Sequence, residues 1–194
     1  MSVAEIALFP LQTVLFPGGR LPLRIFELRY MDMAKACLRD ETPFGVCLIR
    51  EGAEVGEPAV PEEVGCMARI VSWDMPQLGM LHVVARGEQR FRILERSVQT
   101  DGLARARVEL LAAEQDAALD PAADLCARVL RKAIDTAGEG LVEPPLRYDS
   151  AAWVSARLAE LLPLSGASRQ RLLAMDDARD RIEILRRLIS SSGQ

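Results

Sequence analysis

The strictest alternation of apolar and polar positions in the chain runs over residues 103–110. Ala104, Ala106, Val108 and Leu110 recur at every second position, and two arginines and a glutamate lie between them. A period of two is typical of a β-strand with one face in the core and the other in water. This segment is therefore predicted to be a half-buried strand.

Several earlier segments have the composition of further strands. They are rich in β-branched and aromatic residues, are bounded by Gly or Pro, and cover residues 44–49, 64–73, 80–86 and 90–95. Short strands without a long open edge favour a barrel or a closed sandwich. The segment 51–63 has no periodicity and is full of Gly, Pro and Glu, so it is predicted to be an exposed loop.

One amphipathic helix interrupts this β-rich region at residues 27–39. Its apolar face follows the helical spacing and consists of Tyr30, Met33, Ala34, Cys37 and Leu38. In the segment before it, residues 8–26, prolines and glycines are predicted to turn and edge the first strands. The predicted core side chains of that segment are Phe9, Leu21, Leu23, Ile25 and Phe26.

From Asp120 onward the apolar residues follow the period of a helix. Asp120 and Pro121 can begin a helix that Gly138 ends, and further helices are predicted over 149–162, 168–174 and 177–190. The predicted fold class is therefore α+β. A β-barrel lobe with one packed helix (residues 1–115) is followed by a C-terminal helical bundle lobe (residues 116–194).

Composition and charge narrow the classes of protein. The 194 residues are 49% hydrophobic and 27% charged with a net charge of -4, which fits a globular protein and provides no basic arm for nucleic acid. The first residues lack the features of a secretory signal, and no apolar run approaches the ~18 residues that span a bilayer. We expect a cytoplasmic protein that is not embedded in a membrane.

The sequence contains no recognisable catalytic or metal-binding motif. Neither Lys35 nor Lys132 follows a glycine, as a phosphate-binding P-loop requires, and the only histidine, His82, lies in a predicted strand without a nucleophile nearby. The cysteines are too widely spaced for a CxxC site and are predicted to be buried, reduced thiols: Cys37, Cys47, Cys66 and Cys126. We expect no catalytic residue, no metal and no cofactor, and hence no enzyme.

Three segments, in this order, carry a resemblance to a known family. They are LFPLQTVLFPGGRLPLRIFELRYMDMAKAC, VGCMARIVSWDMPQLGMLHVVARGEQRFRILE and LLPLSGASRQRLLAMDDARDRIEILRRLI. Together they resemble the N-terminal, substrate-recognition domain of the ATP-dependent Lon protease. The resemblance implies a PUA-like β-barrel lobe (like pseudouridine synthase and archaeosine transglycosylase) with one helix, followed by a helical lobe.

The same resemblance implies that the protein binds unfolded or degradation-targeted polypeptides. The chain ends at Gln194 without the ATPase and Ser-Lys peptidase segments of Lon. We therefore expect a stand-alone, non-catalytic recognition module. Its expected partners are client proteins, and a separate protease or ATPase is a further candidate.

Residues 73–81, WDMPQLGML, are predicted to form a turn with an adaptable apolar surface. Methionine side chains suit a surface that binds varied partners. The candidate protein-binding residues are Phe16, Trp73, Met75, Leu78 and Met80. The alternative is that Phe16, Trp73 and Met80 are ordinary residues of the core.

Two other functions stay open. PUA-like barrels elsewhere contact RNA, and four neighbouring arginines are candidates for such contacts: Arg86, Arg90, Arg92 and Arg96. Arg90 and Arg92 are predicted to share one strand face, although interleaved glutamates and the acidic total charge count against RNA. A small-ligand pocket, as in the related fold of cereblon, has only Trp73 and Trp153 as tryptophans and no CxxC pair to support it.

Overall fold

The computed structural model describes residues 2–138, 140 and 142–192, which form a mixed fold of one large sheet and several helices. The strands are β1 (Ser2–Leu11), β2 (Arg20–Ile25), β3 (Phe44–Glu51), β4 (Val60–Pro61), β5 (Val64–Gln77), β6 (Met80–Val98) and β7 (Ala104–Leu110). The helices are α1 (Leu28–Asp40), α2 (Leu125–Ala137), α3 (Ala151–Leu161), α4 (Gly166–Leu173) and α5 (Ala178–Ser192). Contacts divide the chain into two compact units, Met1–Ala112 and Ala113–Gln194.

The sheet of the first unit closes on itself. Its strands follow the order β1-β7-β6-β5-β3-β4 in antiparallel pairs, and β1 also pairs in parallel with β3, with Leu8 opposite Gly45. The path from β1 through β7, β6, β5 and β3 therefore returns to β1, in agreement with the predicted barrel or closed sandwich. β2 stays outside this ring and pairs with β6.

Helix α1 packs on the core of this unit through the apolar face that the sequence predicts. Tyr30, Met33, Ala34 and Cys37 are buried, and the Tyr30 ring stacks on Phe9 with 4.1 Å between the ring centroids. The core also contains most of the apolar residues of β3, β5 and β7. The period-two alternation of β7 is confirmed, because Ala104, Ala106 and Val108 are buried.

The β5–β6 hairpin is longer than the sequence predicted. The predicted strands 80–86 and 90–95 are one continuous strand, and β5 extends to Gln77, so that the predicted turn at 73–81 shrinks to two residues. The turn is possible because Gly79 has a φ of +85°, which glycine adopts without strain.

Two further predictions for the first unit need correction. Phe26 is 56% exposed rather than in the core, because Leu21, Leu23 and Ile25 form the inward face of β2 and the next residue points away from it. The predicted loop 51–63 includes the short strand β4, which pairs with β3.

In the second unit, the first helix begins later than predicted. The Asp120 side chain accepts a hydrogen bond from the backbone N–H of Ala122 in a separate turn, whereas Asp124 caps α2 by accepting from the N–H of Ala127. Gly138 ends the helix as predicted. Helix α3 contacts α2, α4 and α5. Within the described residues, no helix is both long enough and apolar enough to cross a membrane.

A buried arginine fixes the start of the second unit to its helices. Arg181 of α5 is wholly buried, and its guanidinium donates to the Ser155 hydroxyl (2.8 Å) and to the Ala152 carbonyl (3.1 Å) of α3. The same group forms an ion pair with Glu114, whose side chain is 12% exposed. Residues next to Glu114 are fixed as well, since Gln115 pairs with Asp177 in a parallel bridge.

Candidate functional site

The end of the β5–β6 hairpin, residues 71–80 and hereafter the arm, carries large apolar side chains in water. Residues 71–79 are exposed and Met80 is half-buried. The exposed fractions of the apolar residues are 50% for Val71, 59% for Trp73, 37% for Met75 and 98% for Leu78. Contiguous exposed apolar side chains of this size are unusual on a monomer and often mark a binding surface.

The arm brings together four of the five predicted protein-binding residues. The alternative that Trp73 belongs to the core is wrong. Its cross-strand neighbour Val83 is buried, whereas Trp73, which follows a β-bulge between Ile70 and Ser72, is exposed.

Phe16, the fifth predicted residue, does not belong to this surface. Its side chain is wholly buried, so it cannot contact a partner in this conformation. The reason is that residues 16–19, the opening segment, cross closely over β6. The backbone N–H of Gly18 donates to the carbonyl of Gly87 at 2.7 Å, and the N–H of Gly87 donates to the carbonyl of Gly19 at 2.8 Å.

An open groove of about 540 Å³ lies beside the base of the arm. Adjacent strands line it with residues 22–24 of β2, 82–84 of β6 and 72–74 of β5. Cross-strand pairing places Arg24, His82 and Asp74 in one row, so that they face the same side of the sheet. Within the described part of the chain, the His82 Nε2 atom has no hydrogen-bond partner. The groove is thus polar on one side and reaches Trp73 on the other.

The four arginines predicted for RNA binding do not form one exposed surface. Arg90 and Arg92 lie opposite Cys66 and Val64 in an unbroken register and so share a strand face as predicted, but Arg90 is only 3% exposed whereas Arg92 is exposed. Arg96 donates to the Ala59 carbonyl at 3.1 Å. Arg86 is exposed on the first half of β6.

A second, smaller apolar patch lies where β2 leads into α1. Phe26, Leu28 and Val55 are 56%, 74% and 56% exposed, and Phe26 and Val55 line a groove of about 160 Å³ above Phe9 and Tyr30. The sequence contained a signal for Leu28. It lies at helical spacing from the polar positions 32 and 35 rather than on the apolar stripe of α1.

The cysteines are unsuited to nucleophilic chemistry. All four are free and buried, and burial raises the pKa of Cys126 to about 11 and the pKa of Cys47 further still. A thiol with so high a pKa stays protonated at neutral pH, and the thiolate is the reactive form. Within the described residues, no three His, Cys, Asp or Glu side chains are arranged to hold a metal ion.

Comparison with known proteins gives one consistent family. Residues 5–191 match the family model described as the ATP-dependent protease La (LON) substrate-binding domain. The chain is also similar to the crystal structure of a Lon N-terminal domain protein from Xanthomonas campestris. The TM-score is 0.77 with 39% sequence identity, covering 94% of this chain and 96% of that chain.

Two full-length relatives are much longer than the matched segment. The Lon protease of Paraburkholderia phytofirmans is 28% identical over 194 residues, which cover 89% of this chain and 24% of that protease. Protein cereblon of Xenopus tropicalis is 29% identical over 114 residues, which cover 57% of this chain and 24% of that protein. The chain thus spans at most about a quarter of the length of these relatives.

Proposed function

The chain belongs to the family of Lon substrate-binding domains, as its sequence motifs predicted, and from this premise we propose that it binds unfolded or degradation-targeted polypeptides without catalysing a reaction. The observation that carries the proposal is the exposed apolar arm with Trp73, Met75 and Leu78 at its end. Membership of the family supports a substrate-binding role, and the arm supports an apolar client.

The physical basis is the burial of apolar surface between the arm and its client, because folded proteins expose little apolar surface for such a contact. Burying a large apolar side chain is worth about 1.5–3 kcal/mol relative to leaving it in water. Unfolded chains expose many such side chains, whereas native proteins hide them. Trp73 and Leu78 therefore gain most from a partner that is unfolded, and Met75 and Met80 can adapt to varied side chains.

The proposal extends to the arrangement of the protein. A PUA-like β-barrel lobe and a helical bundle lobe, predicted at residues 1–115 and 116–194, would act together as one Lon N-terminal-type domain in the cytoplasm. A protease or an ATPase is the partner that would receive the bound client. The similarity to a segment of a Lon protease supports such an association.

The test is a titration of a fluorescently labelled polypeptide that is kept unfolded by reduction and carboxymethylation. We expect saturable binding to the wild type, and binding about ten-fold weaker for Trp73→Ser/Leu78→Ser because the arm loses its two most exposed anchors. The matched control is Phe26→Ser/Leu28→Ser, which removes an aromatic and a leucine side chain, both more than half exposed, from the second patch. It should change the affinity by less than about two-fold.

Two results would contradict the proposal. The first is equal affinity for the native and the unfolded form of the same polypeptide. The second is an arm variant that binds the unfolded form as tightly as the wild type does.

A further inference from the structure

The outer face of β2, β6 and β5 carries a row of arginines. Arg86 of β6 lies opposite Arg20 of β2 on one side and opposite Arg69 of β5 on the other. Directly opposite residues face the same side of a sheet, and neighbouring strands are only about 4.8 Å apart. Arg24 lies four positions after Arg20 on β2 and therefore points to this same side. We call these four arginines the basic face.

The charge of this face is opposite to the charge of the whole chain. The strands carry Asp74 and Glu88 on this side and Glu41 adjoins Arg69, so that four arginines stand against three carboxylates in a protein of net charge -4. Glu88 is already engaged by Arg69 in an ion pair. A local excess of one charge attracts a partner of the opposite charge and speeds its approach.

Two of these arginines have unused binding capacity. Arg24 and Arg86 are exposed, and within the described part of the chain neither side chain has an ion pair or a hydrogen bond. A guanidinium has five N–H donors and can bind a carboxylate through two of them at once. The groove beside Arg24 also reaches Trp73 of the arm, so charged and apolar contacts adjoin.

The neighbouring strand edge favours an extended polypeptide. Among the described strands, β2 pairs only with β6, which leaves its other edge without a strand partner. The backbone N–H and C=O groups of such an edge can pair with an added strand, although Pro22 removes one donor. A nucleic acid lacks the backbone N–H and C=O groups that pair with such an edge.

We infer that the basic face binds acidic segments of extended polypeptides, with their carboxylates at Arg24 and Arg86 and a neighbouring apolar side chain at Trp73. This inference rests on the proposed function and adds the chemical class of the client. The protein then selects unfolded segments in which acidic and large apolar residues are mixed.

The experiment compares two labelled peptides that differ only in having Glu or Gln at the same positions beside shared aromatic residues. The wild type should bind the Glu peptide about five-fold more tightly at low ionic strength, and added salt should remove the difference. Arg24→Gln/Arg86→Gln should abolish the preference for the Glu peptide. The control Arg92→Gln/Arg128→Gln removes the same charge from exposed residues elsewhere and should keep the preference.

The outcomes separate this inference from the function on which it rests. Equal binding of both peptides, together with weaker binding of both by Trp73→Ser/Leu78→Ser, would overturn the inference and leave the proposed function standing. Failure of both peptides and of the unfolded polypeptide to bind would overturn the two together. If a single-stranded RNA bound more tightly than the Glu peptide, and if Arg24→Gln/Arg86→Gln removed that binding, the face would be assigned to nucleic acid instead. The peptide comparison needs only the wild type, so it stands even if a variant does not fold.

Discussion

Gly87 occupies a position where the backbone itself is the packing surface. A Cβ at this position would lie 2.1 Å from the carbonyl oxygen of Phe16, a backbone atom that cannot move aside cheaply. Gly79 is a different case, because nothing lies within 4 Å of its Cβ position and only its φ of +85° requires glycine. The burial of Phe16 depends on this long-range approach. The residues next to Phe16 in the sequence therefore do not indicate that its side chain is buried while that of Trp73 is exposed.

Replacement of Gly87 by alanine should lower the free energy of unfolding by more than about 2 kcal/mol, because the opening segment has to move away from β6. Gly79→Ala should cost only about 1 kcal/mol, since it meets backbone strain in open space. Urea denaturation followed by circular dichroism measures both values. Equal costs for the two variants would contradict the close approach.

Asp116 is held in its ionised form by its hydrogen bonds. Partial burial acts to raise its pKa, but the Ser150 hydroxyl donates to it at 2.7 Å and the backbone N–H groups of Ala152 and Ala117 donate at 2.8 Å. These bonds outweigh burial and hold the pKa of Asp116 below its usual value. A carboxylate with a lowered pKa stabilises the fold at neutral pH, and this contribution disappears as the pH falls through the lowered pKa.

The Asp116→Asn variant should accordingly be less stable than the wild type at neutral pH, and the difference should shrink below about pH 4. The reason is that the wild type loses its ionised carboxylate in acid, whereas asparagine does not titrate. Thermal unfolding over a series of pH values measures the two profiles. Glu57→Gln, at an exposed loop position, is the control for the loss of one carboxylate. A constant difference between wild type and Asp116→Asn across the series would contradict this account.

Among the elements, those that meet the core were predictable and the arm was not. β7 and α1 place their apolar residues at a regular period because one side of each packs on the core. β3 is recognisable instead as a continuous apolar run, because both of its faces are buried. Val71, Trp73 and Met75 alternate with polar residues, but the arm has water on both sides, so this alternation does not mark a face that meets the core. Pro76 also argues against a strand. Residues 71–77 form a strand because β5 pairs with β6 there. The sequence could therefore identify Trp73, Met75 and Leu78 as candidates but not the hairpin that exposes them.

Helices α3 and α5 depend on the buried guanidinium of Arg181. Arg181→Met should destabilise the protein by about 3–5 kcal/mol, because Glu114 is left nearly buried without its counter-charge. The double variant Arg181→Met/Glu114→Gln removes both charges and should recover part of the loss. Urea denaturation of the two variants measures the difference. If Arg181→Met were as stable as the double variant, the ion pair would not be what stabilises these helices.

At the scale of the whole molecule, the order of the two units and a closed sheet follow from the sequence, but the strand pairing that closes the sheet does not. The change from a period of two to the helical period lies between Leu110 and Leu125, close to the division after Ala112. Closure depends on the parallel pairing of β1 with β3, strands that are separated by β2 and α1. No local pattern encodes such a pairing, because its hydrogen bonds form only when distant segments meet. The fold nevertheless leaves Trp73 and Leu78 exposed on one arm, where the proposed client binds.

The fluorescence of Trp73 tests the central claim most directly. The chain has two tryptophans, so Trp153→Phe leaves Trp73 as the only one while an aromatic ring is kept beside Tyr148. An unfolded polypeptide without tryptophan is then added, and its binding is followed independently by the anisotropy of a label. We predict that Trp73 emission shifts to shorter wavelengths in proportion to the bound fraction, because the ring leaves water. Saturable binding with no change in Trp73 emission would contradict the claim that the arm holds the client.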